Sequence, residues 1–446
     1  MRFVIIGGDA AGMSAASRAR RNDPDLEITV LEKTGDVSYS ACGMPYNIAD
    51  AGRPIDDLVV RPAGVFREKQ NIDLLTGHAV ERIDPAARTV SGRRADGTAF
   101  SREYDKLLVA SGASARVPEV PGMDSSGVMV LKSLADGRAI KQYLADHPVR
   151  QALIIGMGYI GLEMAESLRS RDIAVTMLKP REAFLPWLAE PLARVVKEEV
   201  ESRGVILHPG CTLEAVEGGG PALGAVCDSF TLSADLIIAA TGVTPNSEIT
   251  QGTGIELGPR GEISVNSRLE TTVDNIYAAG DCADAYHVVT GQKTWVPLAL
   301  WANRSGRAVG DNVCGRNVAL PGIAGTAVFK VFGLEVARTG LTESEASRAG
   351  FDPVRREITS RSRAHAHPGS TDIHVSMVGD KSSGRLLGVQ MVGREGVAHR
   401  INAPAVALSA HMTVADFAQC DLAYAPPFSP VWDPLLTCAS QLQKQL

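Results

Sequence analysis

Two short apolar runs in this 446-residue chain each break into a glycine-rich turn and then a helix-prone stretch, and that duplication constrains the fold most. In the first, Arg2-Phe3-Val4-Ile5-Ile6 runs into Gly7-Gly8-Asp9-Ala10-Ala11-Gly12. The Ala-rich stretch from Met13 to Arg21 then predicts a helix, which Asn22-Asp23-Pro24 stops. A second apolar strand, Leu26 to Leu31, ends in Glu32. This strand–turn–helix–strand order is that of a dinucleotide-binding unit. The glycines admit a pyrophosphate close to the backbone, the helix N-terminus holds its charge, and the acid accepts from a ribose hydroxyl. Asp9 stands where the middle glycine of the pattern is expected.

The unit recurs at Ala152–Ile155, followed by Gly156-Met157-Gly158-Tyr159-Ile160-Gly161, a helix from Leu162 to about Arg171 and a strand from Ala174 to Leu178. All three glycines are present here. Two such cradles suit a flavin and a nicotinamide, each of which carries a pyrophosphate. Lys179, Pro180 and Arg181 close the second unit, and cations there can pair with the extra phosphate of NADP, favouring NADPH over NADH. Taken singly, either cation is equally a solvated surface group.

Length suggests two to four domains. An apolar content of 45% and a charged content of 22% describe an ordinary globular chain. A net charge of −6 gives no global field for nucleic acid. No apolar run approaches the roughly 20 residues needed to span a bilayer. Met1 leads straight into a strand, without room for a signal peptide. Seven cysteines are scattered without a metal-type pair spacing, which points to a reducing, cytoplasmic setting. Leu107–Gly112 and Ile237–Gly242 read as buried strands ending in small residues, suited to crossings between domains. Asn275–Asp281 reads as a strand whose Asp281 can reach a flavin's ribityl chain, or serve as a turn former or helix cap.

Cys42 stands alone in Ser38-Tyr39-Ser40-Ala41-Cys42-Gly43-Met44-Pro45-Tyr46. A two-cysteine flavin reductase would carry a second thiol five residues away, where this chain has Val37 and Asn47. A redox role for Cys42 therefore requires a mixed disulfide with a small thiol, a persulfide or a sulfenic acid. Such chemistry asks for a low-pKa thiolate, and Gly43 and Pro45 place Cys42 near a helix start that would favour the anion.

Together with the tail Tyr424-Ala425-Pro426-Pro427-Phe428-Ser429-Pro430-Val431-Trp432-Asp433-Pro434, these segments resemble the pyridine nucleotide-disulfide oxidoreductases, in their single-cysteine branch of coenzyme A-disulfide reductases. The resemblance implies an α/β fold with two Rossmann-like dinucleotide-binding domains, for FAD and for NAD(P), and a C-terminal α+β dimerisation domain. It places the FAD domain at 1–112 and 243–320, the NAD(P) domain at 113–242 and the dimerisation domain at 321–446. The alternating runs Asp372–Val378 and Leu386–Val392 and the helical pattern Ala403–Leu408 agree with the last.

The resemblance further implies a homodimer that passes electrons from NADPH or NADH through FAD to Cys42, with Tyr424 supplied across the dimer as a proton donor. Around the cofactors it places Gly7, Ala10, Ala11, Gly12, Glu32, Lys33, Val80, Ala110, Gly112, Asp281 and Ala299, and Gly156, Gly158, Tyr159, Ile160, Gly161, Lys179, Arg181 and Gly242. Around the substrate it places Ser14, Arg18, Arg21, Ser38, Lys69, Asn303 and Arg307, with coenzyme A attached to Cys42 at rest as one possible state. The spacing of Arg18 and Arg21 puts both on one helix face, where they suit phosphates, although such a run is as often a solvated face.

Two departures from the family pattern qualify the substrate. His365-Ala366-His367-Pro368-Gly369 stands where coenzyme A-disulfide reductases carry Tyr-Tyr-Pro-Gly, so His367 either replaces a proton donor or is an interface residue. Ala10 stands where peroxide-reducing relatives carry histidine, which argues against peroxidase and less strongly against oxidase activity. The leading expectation is reduction of coenzyme A disulfide through a mixed disulfide on Cys42. The alternatives are a coenzyme A persulfide or polysulfide reductase, an NADH oxidase, or a flavoprotein whose nicotinamide binding alters association with a partner. With no rhodanese segment after Leu446, any persulfide is expected as a free small molecule. No metal, nucleic acid or membrane is expected, and Cys438 is the one other thiol worth testing as a resolving partner.

Overall fold

A computed structural model describes residues 1–446. Its first sheet has five parallel strands in the spatial order Ile276–Ala278, Lys106–Val109, Arg2–Ile6, Glu27–Leu31 and Asp73–Leu75. The central strand is almost wholly buried, as a parallel strand covered on both faces must be. The helix that follows, Ala10–Asn22, packs against Ala299–Val313 on one of those faces. The second unit repeats the design with Val205–Pro209, Ala174–Lys179, Gln151–Ile155, Leu236–Ala239 and Val128–Val130, all parallel. The two units are linked where Ala113–Ala115 pairs antiparallel with Val243–Pro245.

Both dinucleotide helices begin three residues earlier than sequence propensity predicts, at Ala10 and Tyr159. The glycine-rich turn itself swings the chain into helical geometry, which propensity scales do not see. Two three-stranded antiparallel sheets, His78–Glu103 and Leu213–Ala234, also went unread, because their strands are short and half exposed.

The C-terminal region is a five-stranded antiparallel sheet in the order Ala327–Val331, Leu334–Gly340, Leu386–Gly393, Asp372–Asp380 and Pro353–Arg361. Helices Asn402–Ser409, Val414–Ala418 and Pro434–Leu442 cover it around a core of Val375, Met377, Val389, Phe417 and Leu435. The first two strands and Val392 share a core with the second dinucleotide unit. Buried Gln390 fastens that junction, accepting from Ala189 N–H at 2.7 Å and donating to Trp187 O at 2.8 Å.

The Cys42 segment lies close to the first unit in sequence and packs on the second. Met44, Ile48 and Leu58 join the core of Leu134, Leu162 and Leu168. Ser167 Oγ donates to Pro45 O at 2.6 Å, and Lys141 Nζ donates to Asn47 O, Asn47 Oδ1 and Asp50 O at 2.7–3.1 Å. The cysteine loop is thereby anchored on the second unit.

Candidate active site

One cleft of about 2760 Å³ runs past both turns and the Cys42 loop. At both turns the same backbone device appears. Gly7 has φ +108° and Gly156 φ +110°, and a Cβ there would lie 2.2 Å from Ala110 O and 2.3 Å from Ala240 O. Only glycine fits both demands. Gly12 and Gly161 lie off the cleft lining; a Cβ would sit 1.9 Å from Gly7 O and 2.5 Å from Gly156 O, so their part is to bring helix against strand. Neither dinucleotide helix has a side-chain cap, whereas three helices elsewhere are closed by capping boxes from Ser133, Thr342 and Thr413. Uncapped first turns beside open space are what an incoming pyrophosphate requires, so these residues fit two dinucleotides.

Glu32 lines the cleft with both oxygens engaged. Oε2 accepts from Gly8 N–H at 2.8 Å, and Oε1 accepts from Thr34 N–H at 2.7 Å and from its hydroxyl at 2.8 Å. Ala10, Ala11, Lys33, Ala110, Gly112, Asp281, Ala299, Gly158, Tyr159, Ile160, Arg181 and Gly242 all line the cleft, while Val80 stands off it in the strand His78–Asp84. Lys179 borders the cleft but faces inward, its ammonium donating to Ala183 O at 2.5 Å and Phe184 O at 3.0 Å. It folds the following loop rather than waiting for a phosphate, and burial lowers its pKa. Of the two cations expected to mark NADP, only Arg181 is exposed.

Cys42 occupies the short 3-10 turn Ala41–Gly43 that opens into the helix Met44–Ala49, so the expected helix start is there. The low thiol pKa is not. Cys42 shows surface to the cleft, but the protein walls around it desolvate the anion, and Glu163 repels it, pushing the thiol above its ordinary value. Lys132 pulls the other way. Its ammonium is 3.1 Å from Asp281 Oδ2. Glu163 is raised by burial even though Tyr46 Oη donates to it at 2.9 Å. Asp9 projects from the first turn, where its carboxylate accepts from Tyr39 N–H at 3.4 Å, and burial raises its pKa to about 6. Ser38, at the head of the loop, holds φ +47°, strain of roughly 1–3 kcal/mol. Its backbone is pinned by bonds to Gly8 O at 3.1 Å and from Val60 N–H at 2.8 Å.

Asp9, Tyr46, Arg61, Lys132 and Glu163 all line this region or touch it, and the sequence pattern assigns none of them a site role. Glu163 had a signal, standing four residues past Tyr159 on one helix face. Lys132 had none.

The substrate residues divide. Ser14, Arg21, Ser38, Asn303 and Arg307 line the cleft, and Ser14 Oγ donates to Asn303 Oδ1 at 2.7 Å. Arg18 and Lys69 do not line it. The Arg18 guanidinium is 2.8 Å from Asp311, which also accepts from Asn22 at 2.8 Å. The nearby Arg20 is spent on the carbonyls of Gln70, Asn71 and Pro24. Tyr424 lies off the cleft of its own chain in a face with Phe428, Val431 and Trp432, whose exposures reach 64–75%. His367 rests in a loop with Nδ1 3.0 Å from Pro368 O, also away from the cleft. Cys438 is buried beneath the C-terminal sheet, its thiol pushed up to about 12, which makes it core rather than a resolving thiol.

Comparison with known proteins bears on this geometry. Residues 1–306 match the family described as pyridine nucleotide-disulphide oxidoreductase, and residues 326–434 match its dimerisation domain. The chain is 40% identical over 442 residues to the NAD(P)H coenzyme A polysulfide/persulfide reductase of Pyrococcus horikoshii, a match spanning 99% of this chain and 98% of that protein. It is 31% identical over 430 residues to coenzyme A disulfide reductase of Staphylococcus haemolyticus, 96% of each. Among solved structures, a NAD-dependent persulfide reductase from A. fulgidus matches with a TM-score of 0.96 at 36% identity, covering 100% of this chain and 83% of that one. No helix is long and apolar enough to cross a membrane.

Proposed function

This chain belongs to the pyridine nucleotide-disulphide oxidoreductases, enzymes that couple NAD(P)H to a flavin, and on that premise we propose that it reduces a coenzyme A-linked persulfide or polysulfide at Cys42. The observation that carries the reading is the solitary thiol: Cys42 is exposed in the cleft, and no other cysteine lines it. Its redox partner must come from outside the cleft's own cysteines, and a small sulfur compound fits that need.

Bound FAD supplies a two-electron relay from NAD(P)H. The protein's part is to hold the dinucleotide at Gly7 and the uncapped helix Ala10–Asn22, with Glu32 and Asp281 as acceptors for its hydroxyls. Gly156, Gly158 and the helix from Tyr159 do the same for the nicotinamide dinucleotide. The Cys42 thiolate attacks the outer sulfur of R–S–SH, giving Cys42–S–SH and RS⁻; two electrons and a proton then release H₂S and restore the thiolate. Lys132 is the cation that favours the Cys42 anion.

Persulfide is preferred here to the disulfide that the single-cysteine pattern first suggests. The polysulfide/persulfide reductase is more similar to this chain than the disulfide reductase is, 40% against 31%, and matches it over nearly its whole length. The stretch His365–Gly369 also lacks one of the two tyrosines that the family resemblance places near a bound disulfide, Tyr424 being the other. A homodimer in which a second copy covers the apolar face 424–434 would bring Tyr424 to the partner's cleft and supply one donor.

The test is steady-state H₂S release from coenzyme A persulfide beside thiol release from coenzyme A disulfide. The persulfide is expected to turn over faster. Cys42→Ser should cut turnover by roughly a thousandfold or more while NAD(P)H still bleaches the flavin. Retained turnover in that variant would end the reading, and faster disulfide reduction would return the substrate to coenzyme A disulfide.

A further inference from the structure

We propose that Arg61 is a specificity-determining residue that joins Arg21 and Arg307 in gripping the phosphate-bearing end of the thiol substrate. This rests on the reading of the substrate as coenzyme A-linked. Pattern reading of the first helix picks out Arg18 and Arg21, but the structure redistributes the charge. Arg18 is neutralised by Asp311, and Arg61 enters the cleft from a different element.

Arg61 is delivered there by the backbone. Tyr39 and Val59 form an antiparallel bridge, and the N–H groups of Val60 and Arg61 both point to Ser38 O, at 2.8 and 3.4 Å. The backbone of Arg61 is therefore tied to the loop that carries Cys42, so its side chain starts from a point fixed relative to that loop.

Arg21, Arg61 and Arg307 make no ion pair and no side-chain hydrogen bond, although all three line the cleft and are exposed to it. Arg307 and Arg61 are both near enough to act on Arg21: burial first, then Arg18, Arg307 and Arg61, lower the pKa of Arg21. Other arginines of the same fold are saturated. Arg138 is held by Asp36 at 2.7 Å and Asp56 at 2.6 Å, and Arg400 by Asp433 at 2.7 Å. Three arginines on one cleft wall without a counter-ion suit a ligand carrying several phosphate oxygens, each able to accept paired N–H bonds. A neutral disulfide would leave the charge on Arg21 uncompensated, and a short inorganic polysulfide, though anionic, offers no phosphate oxygens for paired N–H bonds.

The experiment compares coenzyme A persulfide with pantetheine persulfide, which lacks the phosphates, on the flavin-loaded wild type and on Arg61→Ala, Arg61→Lys and the surface control Arg102→Ala. Arg61→Ala should raise KM for the coenzyme A form about tenfold, the worth of one charge-assisted bond, with kcat within about twofold. KM for pantetheine persulfide should stay unchanged. The lysine variant should recover part of the loss, and the salt dependence of KM should be shallower in the alanine variant. Equal KM ratios in wild type and Arg61→Ala would overturn the role of Arg61. A wild type that does not distinguish the two substrates would instead overturn the coenzyme A reading. Flavin content and melting temperature equal to wild type are expected throughout, because Arg61 contributes no internal side-chain bond; loss of either would show a structural role and overturn the proposal.

Discussion

The two glycine-rich turns are copies of one device that differ at a single informative position. Gly7 matches Gly156 and Gly12 matches Gly161 in conformation and in what they press against. The middle position does not match. At Gly158 an added Cβ would meet nothing within 4 Å, whereas the first turn fills the equivalent place with Asp9, aimed at the Cys42 loop. The second turn is built for one task, to let a pyrophosphate approach. The first also meets the loop that carries the sulfur, and it does so through a carboxyl that accepts from Tyr39 N–H.

The shared part of the device is where substitution should do most damage. A methyl at Gly12 would fall 1.9 Å from Gly7 O and one at Gly161 2.5 Å from Gly156 O, contacts with backbone that cannot swing aside. Gly12→Ala should destabilise at or beyond the upper end of about 1–3 kcal/mol and yield protein without flavin; Gly161→Ala should fall nearer the lower end. Thermal melting and the flavin absorbance of purified protein measure both. Equal losses would mean that the two helices do not depend on close approach to different degrees.

The divergent position should show itself in pH dependence. Asp9 faces Lys132, Glu32, Asp281 and Tyr39, and its folded pKa of about 6 lies above the ordinary 3.8. Between those values the folded state binds the extra proton, so its contribution to stability is lost as pH rises from 4 to 6 and is flat above. A dinucleotide phosphate nearby favours the neutral acid further. FAD affinity of the apoprotein should therefore weaken between pH 6 and 8, by at most about tenfold per unit, and Asp9→Gly or Asp9→Asn should flatten the profile. Fluorescence titration of FAD reads this without any turnover. Parallel profiles for wild type and variants would remove Asp9 from the comparison.

The same contrast explains what could be read from sequence. Turn, helix and strand of each unit are legible because their signals are local: glycines at fixed spacing, an apolar strand before and an acid or cation after. Cys42 was legible because nothing paired with it. Illegible were the side chains whose roles are settled by distant residues. Arg18 meets Asp311 across 293 residues of chain, and Lys132 meets Asp281 across 149. The raised thiol of Cys42 depends on walls from both units, which no helix-start rule describes. Tyr424 was reached only by resemblance, since its own chain gives it no partner in the cleft.

Lys179 and Arg181 offer the finest test, because sequence treats them alike and structure separates them. Lys179 is buried and bonded to the carbonyls of Ala183 and Phe184, so Lys179→Met should loosen that loop and lower the melting temperature while leaving the ratio of kcat/KM for NADPH and NADH near its wild-type value. Arg181 lies exposed on the cleft wall, so Arg181→Ala should leave stability within about 0.5 kcal/mol. If the second unit takes NADPH, the ratio should fall several-fold in that variant, because a surface guanidinium pairing with a phosphate contributes roughly 1 kcal/mol. A shift in Lys179→Met with none in Arg181→Ala would mean that the buried ammonium turns outward when the nucleotide binds. The second unit would then also hold a conditional charge, and the contrast with Asp9 would shrink to one of sign.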